Sequence, residues 1–146
     1  MHLKGNQPLA AWWFTALLLS AGCGGAETGC GSLDSRASVV KIISDDSSNA
    51  LVSYAVGNSN SVAAMVSNAH TEAEKLAVLQ NARKAAVYRL DNTIVTNSRS
   101  RTTGALTCSG LLYVTVGDTT AEKQVDFRID RATDGKTSIS VNPFLF

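Results

Sequence analysis

The sequence predicts an α+β domain in which amino-terminal helices pack on a four-stranded antiparallel meander sheet. In the first half of the chain, apolar residues recur near helical spacing, and in the second half they alternate with polar residues. Short turn signals, among them an Asp-Gly pair, separate the alternating runs. A half-buried meander leaves one apolar face that must be covered, so we expect the helices to cover it.

The first 22 residues have the features of a secretory signal peptide. Lys4 precedes an uncharged apolar run over residues 9–19, and the small residues Ser20, Ala21 and Gly22 follow it. This order of charge, short apolar run and small residues is typical of export signals. A membrane-spanning helix needs about 20 apolar residues, so this shorter run predicts export and removal, not a membrane span.

Beyond the signal, the composition divides the chain into a linker and a domain. Residues 23–38 are mostly Gly, Ser, Ala and Thr with a few charges, which is typical of a flexible tether. We therefore predict a signal peptide over residues 1–22, a tether over residues 23–38 and a single α+β domain over residues 39–146. The length remaining after cleavage suits one domain.

Two helical segments are predicted before the clearest one. Between residues 37 and 55, apolar residues such as Val39, Ile43 and Leu51 favour one helix, although the central DDSSN is poor helix material. A strand followed by a turn is the alternative there. Residues 62–68 predict a short helix that begins after Ser61.

The clearest local signal begins at Thr71. Thr71 and Glu74 form a capping-box pattern, in which each side chain reaches a backbone N–H that the first helical turn leaves unpaired. Strong helix formers follow, and Arg83 and Lys84 lie near the expected carboxyl end. We predict a long helix over residues 71–85.

Four strands are predicted in the second half of the chain. Bulky residues between Val87 and Val95 indicate the first, and residues 105–116 alternate with the apolar side chains on one face. Residues 124–130 and 137–144 supply the last two, joined at Asp134-Gly135. With the sheet curving around the long helix, this topology resembles the cystatin or NTF2-like arrangement, a likeness of outline that rests on no motif.

The end of the signal segment, Leu19-Ser20-Ala21-Gly22-Cys23, resembles the lipobox of bacterial lipoproteins. The resemblance implies that Cys23 is acylated on sulfur and becomes the mature amino terminus. It also implies an outer-membrane location facing the periplasm, because Gly24 is not the Asp that retains such proteins in the inner membrane. Ordinary cleavage by a signal peptidase is the alternative.

The other two cysteines, Cys30 and Cys108, predict a disulfide, because two thiols in an oxidising compartment usually pair. The alternative is a buried apolar Cys108 with a free Cys30. A metal site is not predicted, since the mature chain has no CxxC and a single histidine, His70. We expect no cofactor.

Charge and motifs limit the classes of function. Removing Lys4 lowers Lys+Arg from 13 to 12, equal to the 12 acidic residues, and a neutral chain argues against nucleic-acid binding. The sequence contains no GxSxG and no phosphate-binding glycine loop, so we predict that the protein is not an enzyme.

Two groups of residues are candidates for binding. Asp126, Arg128 and Asp130 form a charged stripe on the polar side of one predicted strand. Phe144 and Phe146 end the chain with apolar groups that either cap the core or form a docking edge.

We therefore expect a small membrane-anchored envelope lipoprotein that binds another protein at the periplasmic face without catalysis. One alternative is an NTF2-like domain that binds or converts a small molecule. Another is a structural lipoprotein that supports the integrity of the envelope.

Overall fold

The computed structural model describes residues 29–46 and 48–142. Four helices come first in this part of the chain, followed by an antiparallel sheet, so the predicted α+β class is confirmed. The helices are α1 (Leu33–Asp45), α2 (Ala50–Asn58), α3 (Asn60–Ser67) and α4 (Glu72–Lys84). The strands are β1 (Val87–Leu90), β2 (Val95–Arg99), β3 (Leu106–Val116), β4 (Thr119–Arg131) and β5 (Thr137–Val141). None of these helices has the length and apolar composition to cross a membrane.

Each helix begins at a polar residue whose side chain accepts a hydrogen bond from an amide of the first turn. These capping residues are Ser32, Asn49, Ser59 and Thr71. Such caps satisfy N–H groups that have no partner inside the helix. At α4 the whole predicted capping box is present, because Glu74 also accepts from the backbone N–H of Thr71. The helix predicted over residues 71–85 is confirmed.

The single helix predicted over residues 37–55 is corrected to two helices, α1 and α2. The side chain of Asn49 is buried and accepts from the backbone N–H groups of Leu51 and Val52, so it starts a new helix. Helix α1 begins at Leu33, inside the segment predicted as a tether. Helix α3 begins after Ser59, two residues before the predicted Ser61.

The sheet has four strand positions, as the predicted meander requires. Its order is β1-β3-β4-β5, and β2 continues the line of β1 along the same edge of β3. The interruption between β1 and β2 lies opposite Gly110. A Cβ at that position would lie 3.3 Å from both Leu90 and Ile94, so glycine lets these two side chains close over β3.

The turn between β3 and β4 is shorter than the sequence suggested. It consists of Gly117 and Asp118, and β4 is already paired with β3 at Thr119. Gly117 has a φ of 58°, which lies in the left-handed region where glycine avoids the steric cost of a side chain. Because the turn is tight, β3 and β4 form one long hairpin.

The core lies between the sheet and the first two helices. The predicted alternation is confirmed on β3 and β4, where buried positions alternate with exposed or half-buried ones over residues 106–116 and 125–129. The buried residues include Leu106, Cys108, Leu112, Val114, Val125, Phe127 and Ile129. Helix α2 packs on β3 and β4, whereas α1 contacts the opposite edges β1 and β5. The sheet therefore curves around α1 and not around the long helix α4, which packs on α2 and α3.

Several predicted features lie outside the described residues. They are the signal peptide, the lipidation site Cys23 and the terminal Phe144 and Phe146.

Candidate functional site

The predicted pairing of Cys30 with Cys108 is confirmed by a disulfide that joins residues 78 positions apart. Both cysteines are buried, and their Cα atoms are 5.8 Å apart. The hydroxyl of Thr96 on β2 donates a hydrogen bond to the Cys30 sulfur at 3.2 Å. The disulfide therefore fixes the segment before α1 to the first part of β3, directly beside β2.

One side of the sheet is not covered by the helices, and we call it the outer face. It is formed by the side chains of β1, β3, β4 and β5 that alternate with the buried ones. Its residues are Val87, Arg89, Leu111, Tyr113, Glu122, Gln124, Asp126, Arg128, Asp130 and Ser140. Alternation along each strand places all of them on one surface.

Part of the outer face, on β1 and β3, is apolar and aromatic. Arg89 and Tyr113 are opposite each other on β1 and β3, and the Arg89 guanidinium lies 4.2 Å from the centroid of the Tyr113 ring. A cation above an aromatic ring is attracted by the negative face of the ring. Leu111 and Val87 flank the pair, and Val87 is 64% exposed. Tyrosine and arginine together are typical of the residues that dominate protein–protein binding energy.

The charged stripe predicted from the sequence lies on this face along the interior strand β4. Arg128 donates to Asp130 from two nitrogens, with Nε and Nη2 each 2.8 Å from Oδ1. This hydrogen bonding lowers the pKa of Asp130 and raises the pKa of Arg128. The structure thus brings Arg128 and Asp130 together as an exposed pair. Asp126 is not part of that pair and contacts Gln124 at 3.4 Å.

A second candidate is an open cleft of about 320 Å³ where the carboxyl ends of α1 and α4 meet β1, which we call the helix-end cleft. Its lining residues are Ser44, Asp45, Asp46, Val52, Gln80, Arg83, Lys84 and Tyr88. Burial raises the pKa of Tyr88, and the charge of Asp46 raises it further. Hydrogen bonds from Ser48 lower the pKa of Asp46. The cleft therefore offers two acidic and two basic side chains around a tyrosine hydroxyl.

Groups suited to metal binding do not cluster in the described ranges, where no set of three or more His, Cys, Asp or Glu side chains could hold an ion. His70 is exposed, and its backbone N–H donates to Glu74 at the start of α4. In the structure it is therefore a loop residue beside the capping box, as its position before Thr71 indicated.

Sequence reasoning missed the Arg89–Tyr113 pair and the helix-end cleft. The pair depends on the register between β1 and β3, and the cleft joins residues from three helices and a strand. The alternation of β3 did place Tyr113 on the polar side, which was the one available signal.

Comparison with known proteins finds no matching family model, no matching curated protein and no matching solved structure. The likeness to cystatin and NTF2-like folds therefore stays a prediction.

Proposed function

We propose that the chain is a lipid-anchored protein of the bacterial envelope, and that its domain binds another protein through the outer face of the sheet. In this proposal Cys23 is the acylated mature amino terminus, and the domain faces the periplasm from the outer membrane. Each buried CH₂ of an acyl chain contributes about 0.8 kcal/mol, so several chains on one residue hold a protein at a bilayer. The proposed activity is binding, without catalysis.

The disulfide supports the exported location. Disulfides persist in the periplasm and outside the cell, and they are rare in the reducing cytosol. The buried bond between Cys30 and Cys108 and the apolar signal segment therefore both support export, and they come from different parts of the chain.

The outer face is the observation that carries the binding proposal. Val87, Leu111 and Tyr113 on β1 and β3 present apolar area to solvent, and the charged residues Arg89 and Glu122 lie on either side of Tyr113. Asp126 on β4 adds an exposed carboxylate that a basic group of the partner can approach.

A capture experiment with matched variants tests the binding proposal. Acylated full-length protein is purified as wild type, Tyr113→Ala and Leu76→Ala, and each is used to capture proteins from detergent-solubilised envelopes. We expect one protein to be retained by wild type and Leu76→Ala, and its recovery to fall at least roughly tenfold with Tyr113→Ala. Leu76 is the control because it is an exposed apolar residue on α4, away from the outer face. Equal recovery with Tyr113→Ala would contradict the proposal.

The anchor is tested separately with Cys23→Ala. We expect mass spectrometry to find acyl chains on Cys23 of the wild type and neither acyl chains nor normal processing in the variant. Normal processing of Cys23→Ala together with continued sedimentation with membranes would refute the anchor.

A small-molecule function is a second candidate, favoured by the helix-end cleft. Asp45 and Asp46 provide negative charge and Arg83 and Lys84 positive charge, a set that suits a small zwitterion such as an amino acid. Calorimetric titration with a panel of amino acids tests this candidate, with Tyr88→Phe as the variant that removes the hydroxyl. Absence of binding across the panel would remove it.

A further inference from the structure

The disulfide limits how far the domain can move from the proposed lipid anchor. Seven peptide units separate Cys23 from Cys30, and they span at most about 25 Å when fully extended. Because Cys30 is bonded to Cys108, this distance is measured to a fixed point of the sheet. The inference below therefore rests on the proposed acylation of Cys23.

The fixed point lies beside the middle of the edge made by β1 and β2. Cys108 is opposite Thr96 of β2, and Thr96 donates to the Cys30 sulfur. From there the edge extends in one direction to Arg99 and in the other to Arg89. We call this surface the anchor edge. Its exposed or half-buried residues are Leu33, Arg36, Arg89, Val95, Arg99 and Arg101.

The anchor edge carries excess positive charge. Its four arginines face two nearby acids, Asp34 and Asp91, and Asp91 lies 4.0 Å from Arg89. Over the rest of the described residues, by contrast, acidic side chains outnumber basic ones by one. A negatively charged surface is therefore attracted more strongly to this edge than to the rest of the domain.

The edge also exposes apolar side chains. Leu33 is 79% exposed, and Val95 is 55% exposed. Leu33, Arg36 and Arg89 line a shallow groove of about 300 Å³. Arg36 donates from Nη2 to the carbonyl oxygen of Leu90, while its Nε has no hydrogen-bond partner among the described residues.

We propose that the anchor edge lies against the bilayer, with Leu33 in the headgroup region and the arginines at the phosphates of anionic phospholipids. Guanidinium groups match phosphate geometry, and basic residues near an anionic leaflet add attraction that the lipid anchor alone does not supply. The connection to Cys23 lets this edge reach the membrane, and its excess positive charge favours this edge over the β5 edge. Tyr113, Asp126 and the Arg128–Asp130 pair lie on β3 and β4, the interior strands of the sheet, and stay open to a protein partner.

Tryptophan fluorescence tests this orientation directly. The two tryptophans, Trp12 and Trp13, lie in the signal peptide, so the mature chain has none. Leu33→Trp and the control Leu76→Trp are prepared as acylated proteins in vesicles of phosphatidylethanolamine and phosphatidylglycerol that contain brominated acyl chains. We expect the lipid bromines to quench the emission of the Leu33→Trp protein and to find that emission shifted to shorter wavelength. The emission of the control protein stays as it is in unbrominated vesicles.

The role of charge is tested in the same vesicles. Combining Leu33→Trp with Arg99→Gln and Arg101→Gln is expected to reduce the ratio of docked to undocked protein by about fivefold for each arginine removed. Replacing phosphatidylglycerol with phosphatidylcholine should reduce it likewise. Unchanged quenching in both experiments would overturn the charge-based part of the proposal.

Flotation of the same samples separates failure of the orientation from failure of the anchor. If both proteins float with the vesicles and Leu33→Trp is quenched no more than Leu76→Trp, the orientation is wrong while the anchor stands. If the proteins do not float, the anchor is wrong, and the orientation with it. Val95→Trp gives a second reporter on the same edge, and circular dichroism checks that each variant is folded.

Discussion

Helices α1 and α2 differ from the α3–α4 pair in how they are stabilised. α1 and α2 bury apolar residues such as Val39, Ile43 and Leu51 against the sheet. Of the thirteen described residues of α4, only Ala82 is buried. Yet α4 carries the strongest local helix signals in the sequence. Within one small domain, therefore, some helices are stabilised mainly by buried apolar contacts, and α4 is stabilised mainly by its cap and its charged side chains.

The local interactions of α4 are individually weak but numerous. Its capping box joins Thr71 and Glu74, and Glu72 accepts a hydrogen bond from Lys75 at 2.7 Å. Arg83 and Lys84 lie in the last turn, where positive charge interacts favourably with the helix dipole. A cap contributes about 1 kcal/mol to stability, and an exposed ion pair contributes less. Together these interactions stabilise a helix that buries little apolar surface.

The largest effect is expected from removing the disulfide that fastens α1 to the sheet. Cys30→Ala combined with Cys108→Ala releases a loop of nearly 80 residues in the unfolded chain, which should lower the free energy of unfolding by about 4 kcal/mol. Urea unfolding followed by circular dichroism measures the change, with reduced wild type as a second sample. A midpoint equal to that of the oxidised wild type would show that the covalent link contributes nothing.

A pair of leucine substitutions tests the two helix layers directly. Leu51→Ala in α2 leaves a cavity in the core and should cost about 3 kcal/mol. Leu76→Ala in α4 removes a side chain that is 58% exposed and should change stability by less than about 0.5 kcal/mol. Equal losses in urea unfolding would contradict the described packing of α4.

Loss of the cap should affect α4 more than the rest of the domain. Thr71→Ala removes the acceptor for the Glu74 amide and should cost about 1 kcal/mol. Hydrogen exchange is expected to accelerate in the first turns of α4 while the amides of β3 stay protected. Thr93→Ala, in an exposed loop, is the control, and the same exchange pattern in both variants would disprove the local effect.

The smallest effect concerns Asp118, which connects the two layers. Its carboxylate accepts from the Ser59 hydroxyl at 2.7 Å and from the Ser61 amide at 3.1 Å, and these bonds lower its pKa from 3.8 to about 2. Because the folded pKa is lowered, the stabilisation is complete above about pH 4 and is lost as the pH falls toward 2. The stability difference between wild type and Asp118→Ala should therefore shrink over that range.

Urea midpoints measured at several pH values check this prediction. Asp118→Asn is the matched control, since it keeps an acceptor oxygen but does not titrate. A wild-type to Asp118→Ala difference that stays constant from pH 5 to pH 2 would argue against the role assigned to Asp118.

The sequence predicted best those features that depend on neighbouring residues. The prediction of α4 was accurate because its cap and its charged residues lie in the helix or directly beside it. The buried faces of β3 and β4 followed from simple alternation, as did the exposure of Asp126 and Arg128. The break between α1 and α2 was missed because Asn49 acts as a buried cap, where its amide also lies 3.4 Å from the Ile43 carbonyl.

Features built from distant residues were beyond sequence reasoning. Arg89 and Tyr113 meet only because β1 pairs with β3 in one register. The sheet curves around α1 and not around α4, because the disulfide and the contacts of α1 with both sheet edges decide which helix lies inside. Helical periodicity shows which face of a helix is apolar, but it does not show which helix of a domain is the most buried.

The separation of the two paired cysteines has a consequence for biosynthesis. A chain made from its amino terminus presents Cys30 well before Cys108, and all four helices lie between them. No covalent link assists the early segments while the strands are still being made. During that interval the nascent helices depend on the four polar residues at their starts, so mutations there should reduce the yield of newly made protein more than they shift the melting of the finished, oxidised domain.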